Sequence, residues 1–301
     1  MAGGKTQFEE FLEQEVRDGK GVYFPVKTLA LSRMLVRSAR IRDLHPNPED
    51  EFCMPEVGPN YEIISRYQKD FLSAMQMNQP YYSAEPLFVE KTYPNGYRIV
   101  NGHHRWAAAM MLGIKRIPVR LINLTHGEDI KRILEASANT KRAALDLDEM
   151  VLSDGTDTLS EPAPAFPWNK VYSERLRYGI PALFHNLSDQ GYDIWLYSAQ
   201  YYSTDSIRRY FRRYHVKVDG IITATGKRTV ASGEKEKTLA KMISDKYRYT
   251  VHVDNRSVTQ VIPATKSLRE FPLNGAADSW SLEVLEAVEK LGKTEESAVT
   301  P

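Results

Sequence analysis

The chain has 301 residues, 42% hydrophobic and 26% charged, a balance ordinary for globular protein and sufficient for two cores. Lys and Arg number 40 against 39 Asp and Glu, so the net charge of +1 provides no global field toward nucleic acid, and any such contact has to be local. One cysteine excludes an intramolecular disulfide and a cysteine-rich zinc site; with no long apolar run and no basic-then-apolar leader, an intracellular, cytoplasmic protein without membrane contact is expected.

Residues 8–16 (FEEFLEQEV) have helical apolar spacing, and residues 22–29 read as a first strand. Arg33, Arg37, Arg40 and Arg42 then fall across two or three turns, either as a solvated helix face or as a basic cluster beside a phosphate or nucleic acid. Residues 45–59, rich in proline and acids, predict a loop, and residues 61–75 a helix. Glu85, just before a strand over 86–89, is a candidate general base.

The most informative stretch is residues 97–113, YRIVNGHHRWAAAMMLG. Tyr97, Ile99 and Val100 suit a strand, Asn101-Gly102 a turn with positive φ, and the run from Trp106 a helix. His103, His104 and Arg105 then sit in the first helical turn. Unpaired N–H groups and the positive end of the helix dipole favour an anion there, and Arg105 adds a planar fork suited to phosphate. Asn101, Gly102, His103, His104 and Arg105 are therefore a candidate nucleotide-phosphate site, with His103 also a candidate catalytic group. The plainer reading is a capped surface turn. A strand over 118–122 and a helix over 127–138 come next.

This stretch resembles the central box of the ParB/sulfiredoxin fold, in which a Gly, one variable residue and His-Arg or Arg-Arg open a helix that holds a nucleotide's phosphates. The resemblance takes in His45-Pro46-Asn47-Pro48 and Pro86-Leu87-Phe88-Val89 and covers roughly residues 20–140. It implies either an ATP-dependent kinase or reductase or a CTP-binding DNA partition protein. His103 stands where sulfiredoxins carry their catalytic Cys, and the lone Cys53 is elsewhere, so sulfinic acid repair is not expected.

Residues 143–148 form a second constellation, a short apolar strand ending in Asp146 and Asp148. Two carboxylates two residues apart at a strand tip suit Mg²⁺ chelation, or a nucleophile with an acid/base partner. A strand over 191–198 runs to Ser198; after it come a helix over 205–214, a strand over 218–222, a helix beginning at Lys235 and Lys237, and a strand over 249–253 ending in Asp254. Alternating strands and helices predict a parallel sheet with its site at the strand C-termini. Residues 155–168 read as a loop or link, residues 293–301 as a fraying tail, and Tyr81, Tyr82, Tyr201, Tyr202, Tyr247 and Tyr249 as packing residues or base-stacking platforms.

This order resembles the haloacid dehalogenase (HAD) superfamily. The resemblance implies Asp146 as nucleophile, Asp148 as general acid/base, Ser198 on a phosphate oxygen, Lys235 or Lys237 neutralising the phosphoryl group, and Asp146, Asp148 and Asp254 as the Mg²⁺ site. Met150 and Asn255 depart from the usual Thr and second acid, and the spacing leaves no room for a large cap. Residues 138–149 also resemble the helical segment that comes after the box in partition proteins, which would make Asp146 and Asp148 exposed helix residues.

The expected fold class is thus α/β: a ParB/sulfiredoxin-like α+β domain over 1–140, a HAD-like parallel-sheet domain over 141–292, and a tail. The leading expectation is a phosphotransferase/phosphohydrolase using Mg²⁺ and ATP or another NTP, acting on nucleotides, nucleic-acid ends or a phosphorylated small molecule. The alternative is a CTP- and DNA-binding partition-like protein with a non-catalytic C-terminal scaffold.

Overall fold

The computed structural model describes residues 6–19, 21–79, 85–153, 159–225, 234–274 and 278–299, with backbone alone for 234–236 and 293–299. It is a mixed α/β chain of two compact units, 1–123 and 124–301.

In the first unit, α1 (Gln7–Gly19) is started by a reciprocal cap: the Thr6 N–H donates to Glu9 Oε2 (2.7 Å) and the Glu9 N–H to Thr6 Oγ1 (3.2 Å). α3 (Tyr61–Gln76) is capped by Asn60 Oδ1, which accepts from the N–H groups of Glu62 (3.0 Å) and Ile63 (3.2 Å). The sheet contains β1 (Phe24–Pro25), β2 (Val36–Arg40), β3 (Leu44–His45), β4 (Leu87–Tyr93), β5 (Tyr97–Asn101) and β6 (Arg116–Leu121). Its order is β2-β6-β4-β5-β3, with β1 on β4. α4 (His103–Met111) packs against α3, and Trp106, Ala107, Ala108 and Ala109 enter the core with Leu87, Val89 and Ile99.

Two expectations fail here. The first strand shrinks from 22–29 to Phe24–Pro25, and a short helix, α2 (Ala30–Met34), comes after it. The arginines do not share a helix either. Arg37 and Arg40 lie on β2, which pairs antiparallel with β6 through Ala39 and Ile117, while Arg33 is buried on α2. A long-range partner thus fixes a conformation that local spacing left to the helix.

The second unit begins with α5 (Gly127–Ala136), because Ile130 and Leu134 pack with Trp195, Ile243 and Tyr247 of this unit. The seam therefore falls at 123/124, ahead of the sequence boundary at 140. The sheet has the order β11 (Gly220–Ile222), β10 (Tyr192–Tyr197), β7 (Lys141–Asp146), β12 (Tyr249–Val253), β13 (Ser257–Ile262), β14 (Ser267–Pro272). The first four strands are parallel and the last two antiparallel. Side chains alternate across it. Ala143, Leu145, Ile194, Leu196 and Val251 join the core formed with α6 (Ile180–Asp189) and α9 (Trp280–Val299); Trp195 faces the opposite layer, α5 and α8 (Glu234–Lys246). Gly220 lies opposite Trp195 in register, and a Cβ there would collide with the indole.

β7 also decides the rival reading of residues 138–149, since Lys141–Asp146 is a strand and not a helix. The link expected over 155–168 falls inside the second unit and not between the two. Its described part, residues 159–168, belongs to an excursion within the second unit, bracketed by the small antiparallel pair β8 (Leu152–Ser153) and β9 (Arg175–Leu176), and residues 155–158 lie outside the described residues. The expected frayed end is helical to Val299. Among the described residues no helix is long and apolar enough to cross a membrane.

Candidate functional site

Gly102 begins α4 at φ 101° and ψ 23°, in the left-handed region that L side chains avoid. A Cβ there would also run into Leu87 Cδ2. The strand β5 therefore turns directly into α4, and the first-turn N–H groups, which have no intrahelical acceptors, sit at the positive end of the helix dipole.

The side chains around this turn are held from several directions. Arg105 is only 4% exposed; its Nη1 donates to the Glu85 carbonyl and its Nη2 to Glu85 Oε2 (3.2 Å). The guanidinium lies 5.6 Å from the centre of the Tyr67 ring, and its buried Nε has no hydrogen-bond partner. The Asn47 N–H donates to His103 Nε2 (3.2 Å), while His103 Nδ1 faces Asp50 Oδ2 at 3.5 Å. The Asn60 N–H donates to His104 Nε2 (3.2 Å). Phe52 stacks on His103 and meets His104 edge-on. Both His103 ring nitrogens are thus engaged with the 47–50 loop, a geometry that positions the loop on α4. Asn47 belongs to the His-Pro-Asn-Pro run that the resemblance takes in, whereas nothing in the local sequence marks Asp50, Phe52, Asn60 and Tyr67 as neighbours of this turn.

Cys53 is half-buried, and burial, with a contribution from Asp50, pushes its thiol far up from its ordinary value. At pH 8, iodoacetamide should alkylate the folded protein slower than the urea-unfolded chain, by on the order of tenfold or more. Equal rates would show the thiol to be freely ionised.

In the second unit the parallel register places Asp146 opposite Tyr197 on β10, one residue before Ser198, and Leu145 opposite Val253 on β12, one residue before Asp254. Asp146, Asp148, Ser198 and Asp254 therefore occupy the same sheet edge, at the C-terminal ends of the parallel strands. Asp146 Oδ1 accepts from the N–H groups of Asp148 and Glu149 (both 2.8 Å) and caps a π-helical turn, Leu147–Val151. The buried Ser198 hydroxyl donates to Asp148 (2.8 Å to Oδ2), and the Ala199 N–H donates to the same oxygen (3.1 Å). Burial raises the Asp148 carboxyl above the ordinary carboxylate range despite the Ser198 bond, and Asp146 adds to the rise. Asn255 Oδ1 accepts from Arg177 Nη1 (2.6 Å).

The predicted Mg²⁺ site does not fit this arrangement. Among the described residues no group of three or more His, Cys, Asp or Glu could hold a metal ion. Asp146 and Asp148 direct carboxylate oxygens at backbone and hydroxyl donors, and exposed Asp254 has a long bond from the Arg256 N–H (3.4 Å). Lys237 is exposed near the start of α8, and the side chain of Lys235 lies outside the described residues. Of the proposed base-stacking tyrosines, Tyr247 and Tyr249 are buried, Tyr201 and Tyr202 half-buried, and Tyr81 and Tyr82 outside the described residues. A recess of about 760 Å³, lined by Arg248 and Arg269 among others, lies by the β13–β14 turn; of the residues singled out in the sequence only Tyr247 borders it.

Residues 82–138 match the family model of the ParB N-terminal domain. This ParB match includes β4, β5, α4, β6 and α5, and so contains the Gly102 turn. No curated protein matches the chain. Two solved structures of the C-terminally truncated chromosome-partitioning protein ParB from Caulobacter crescentus are similar to it. The one complexed to the centromeric parS site is 24% identical over 35% of this chain and 50% of that chain, with a TM-score of 0.22. The one complexed with CTP-gamma-S is 22% identical over 35% and 57%, with a TM-score of 0.25. The chain spans little more than half the length of these ParB structures.

Proposed function

We propose that the first unit binds a nucleoside triphosphate, CTP in the first instance, with its phosphates on the Asn101–Arg105 turn, and that the chain is a partition-like, nucleotide-binding protein acting inside the cell with nucleic acid as partner. The observation that carries this reading is Gly102 at φ 101° opening a helix whose first turn holds a buried arginine. First-turn backbone N–H groups and the helix dipole suit phosphate oxygens, and the guanidinium is close by, with Arg105 Nη2 3.6 Å from where a Cβ on Gly102 would lie. The ParB match over the same residues supports it. Glu85 occupies the arginine's fork and would have to yield or share it with a phosphate.

Titration calorimetry with CTP and with ATP tests the reading. Binding of either nucleotide is expected, and Arg105→Ala should weaken it at least tenfold, about 1.4 kcal/mol or more. Unchanged affinity in the variant, with its fold intact, would remove the site from this turn.

A second reading, of the second unit as a HAD-type phosphohydrolase, is favoured by one observation: Asp146, Asp148 and Ser198 meet at the C-terminal edge of the parallel sheet, and Asp148 is raised toward the protonated form that a general acid needs. The chemistry would be attack by Asp146 on phosphorus as the ester P–O bond breaks and Asp148 protonates the leaving oxygen, and then attack by water on the aspartyl-phosphate, its proton returning to Asp148, to free phosphate and Asp146. Its test is phosphate release from a generic phosphomonoester in Mg²⁺ buffer. Release that Asp146→Asn abolishes would support it, together with a rate that falls as pH rises through the Asp148 titration. No release, or release that survives the substitution, leaves a non-catalytic scaffold as the reading of this unit.

A further inference from the structure

The charge of the second unit is distributed unevenly. Residues 159–178 of the excursion and residues 204–214, spanning α7 (Thr204–Arg212), together hold seven Lys and Arg against three Asp and Glu, in a chain whose net charge is +1. The two segments are packed into one surface. The Tyr210 hydroxyl donates to the Glu174 carbonyl (2.9 Å), the Tyr214 hydroxyl to the Pro162 carbonyl (3.0 Å), and the Tyr172 and Tyr210 rings pack at 4.9 Å with their planes tilted by 45°. The Arg213 guanidinium lies 3.6 Å from the centre of the Trp168 ring.

Some of these cations are occupied by structure: Arg175 donates to the carbonyls of residues 172–174, Arg208 to the Asp219 carbonyl, and Arg177 to Asn255. Lys170, Arg212 and Arg213 are different. They are exposed, and among the described residues no carboxylate lies within ion-pair distance of any of them. Beside them Phe166 is 78% exposed, an unusual position for an aromatic ring in water, and Trp168 is half-buried under Arg213.

We infer that this surface, built from the excursion and the C-terminal end of α7, binds single-stranded nucleic acid. Uncompensated cations attract a phosphate backbone through counterion release, and exposed Phe166, with the half-buried Trp168 beside it, offers a face on which unpaired bases stack whatever their sequence. A duplex conceals its base faces, and so would use the cations but not Phe166 and Trp168. The inference is independent of the nucleotide site on the first unit and of any chemistry at Asp146. It also locates the local nucleic-acid contact that the near-neutral net charge requires.

The composition supplies a direct readout. Of the four tryptophans, Trp106, Trp195 and Trp280 are fully buried, so quenching of intrinsic fluorescence by added oligonucleotide reports on Trp168. The full chain would be titrated with a fluorescein-labelled oligo(dT) of about 20 nucleotides at two salt concentrations, with the matching duplex and poly-glutamate as competitors. The expected result is salt-sensitive binding with quenching of Trp168 and displacement by single strands in preference to duplex or poly-glutamate. Arg212→Glu with Arg213→Glu should weaken it about tenfold or more, and Trp168→Ala several-fold with loss of the quench. No binding at low salt overturns the inference, as does binding that is indifferent to these substitutions. Preference for the duplex or for poly-glutamate overturns the single-strand assignment. Should a variant fail to fold, Lys170→Glu and protection of native Trp168 from iodide quenching by unlabelled oligo(dT) decide the question in its place.

Discussion

Gly102→Ala is expected to destabilise the first unit by roughly 2–5 kcal/mol, combining a left-handed conformation that costs an L residue about 1–3 kcal/mol with overpacking of similar size. The strain arises from φ 101°, and the overpacking from Leu87, whose Cδ2 occupies the space a Cβ would take. Leu87 is wholly buried on β4 and cannot swing aside without opening the core beneath α4. Against a typical domain stability of about 5–15 kcal/mol this is a large fraction, and the melting transition of the first unit should fall by roughly 10–20 °C. Gly113→Ala separates the two causes. Gly113 has φ 68°, but a Cβ there meets nothing within 4 Å, so only the conformational cost applies. Equal destabilisation by the two substitutions would show the contact with Leu87 to be immaterial. Because the same backbone turn aims the first-turn N–H groups, nucleotide affinity should fall with Gly102→Ala even at temperatures where the variant remains folded.

In the second unit the largest loss is expected from Asp193→Ala. Asp193 is a 2% exposed carboxylate on β10 that accepts from the Tyr247 hydroxyl (2.7 Å) and from Asn139 Nδ2 (2.9 Å). Tyr247 in turn accepts from Trp195 Nε1 (3.0 Å). Removing the carboxylate leaves the buried Tyr247 hydroxyl and the half-buried Asn139 amide without their acceptor, at about 1–3 kcal/mol for each unsatisfied group, so a loss of roughly 2–5 kcal/mol is expected in urea unfolding. Asp189→Ala, at an exposed position at the end of α6, should change stability by no more than about 0.5 kcal/mol. A loss for Asp193→Ala as small as that control would mean that water reaches Tyr247 and Asn139.

These two residues illustrate what a sequence discloses and what it hides. Gly102 was legible because its signal is local: a strand, a glycine and a run of helix formers define the turn within a dozen residues. The same holds for α1, α3 and the parallel strands of the second unit, each marked by its own spacing. Asp193 was not legible, since a carboxylate inside the run Tyr192–Tyr197 gives no hint that Tyr247 and Asn139 close over it. β2 was misread because its partner, β6, lies 80 residues away, and the β13–β14 hairpin and α6 were missed altogether. At the Asp146 edge the residues were legible but their commitments were not. Spacing brings two carboxylates to one strand tip, and only the three-dimensional arrangement shows their oxygens turned toward backbone N–H groups and Ser198.

The placement of α5 separates two kinds of boundary. By sequence likeness the helix goes with the turn that precedes it, since the ParB match runs on to residue 138. By energy it goes with the second sheet, since Ile130 and Leu134 are buried among Trp195, Ile243 and Tyr247. A gene fragment ended at residue 138 or 140 would carry the whole matched segment, yet would leave the apolar face of α5 in water and strip the cover from Trp195 in the remainder. Cut at 123/124, each piece keeps its own core. A stretch marked out by sequence likeness and a unit that folds as one need not share an edge, and here one amphipathic helix lies between the two.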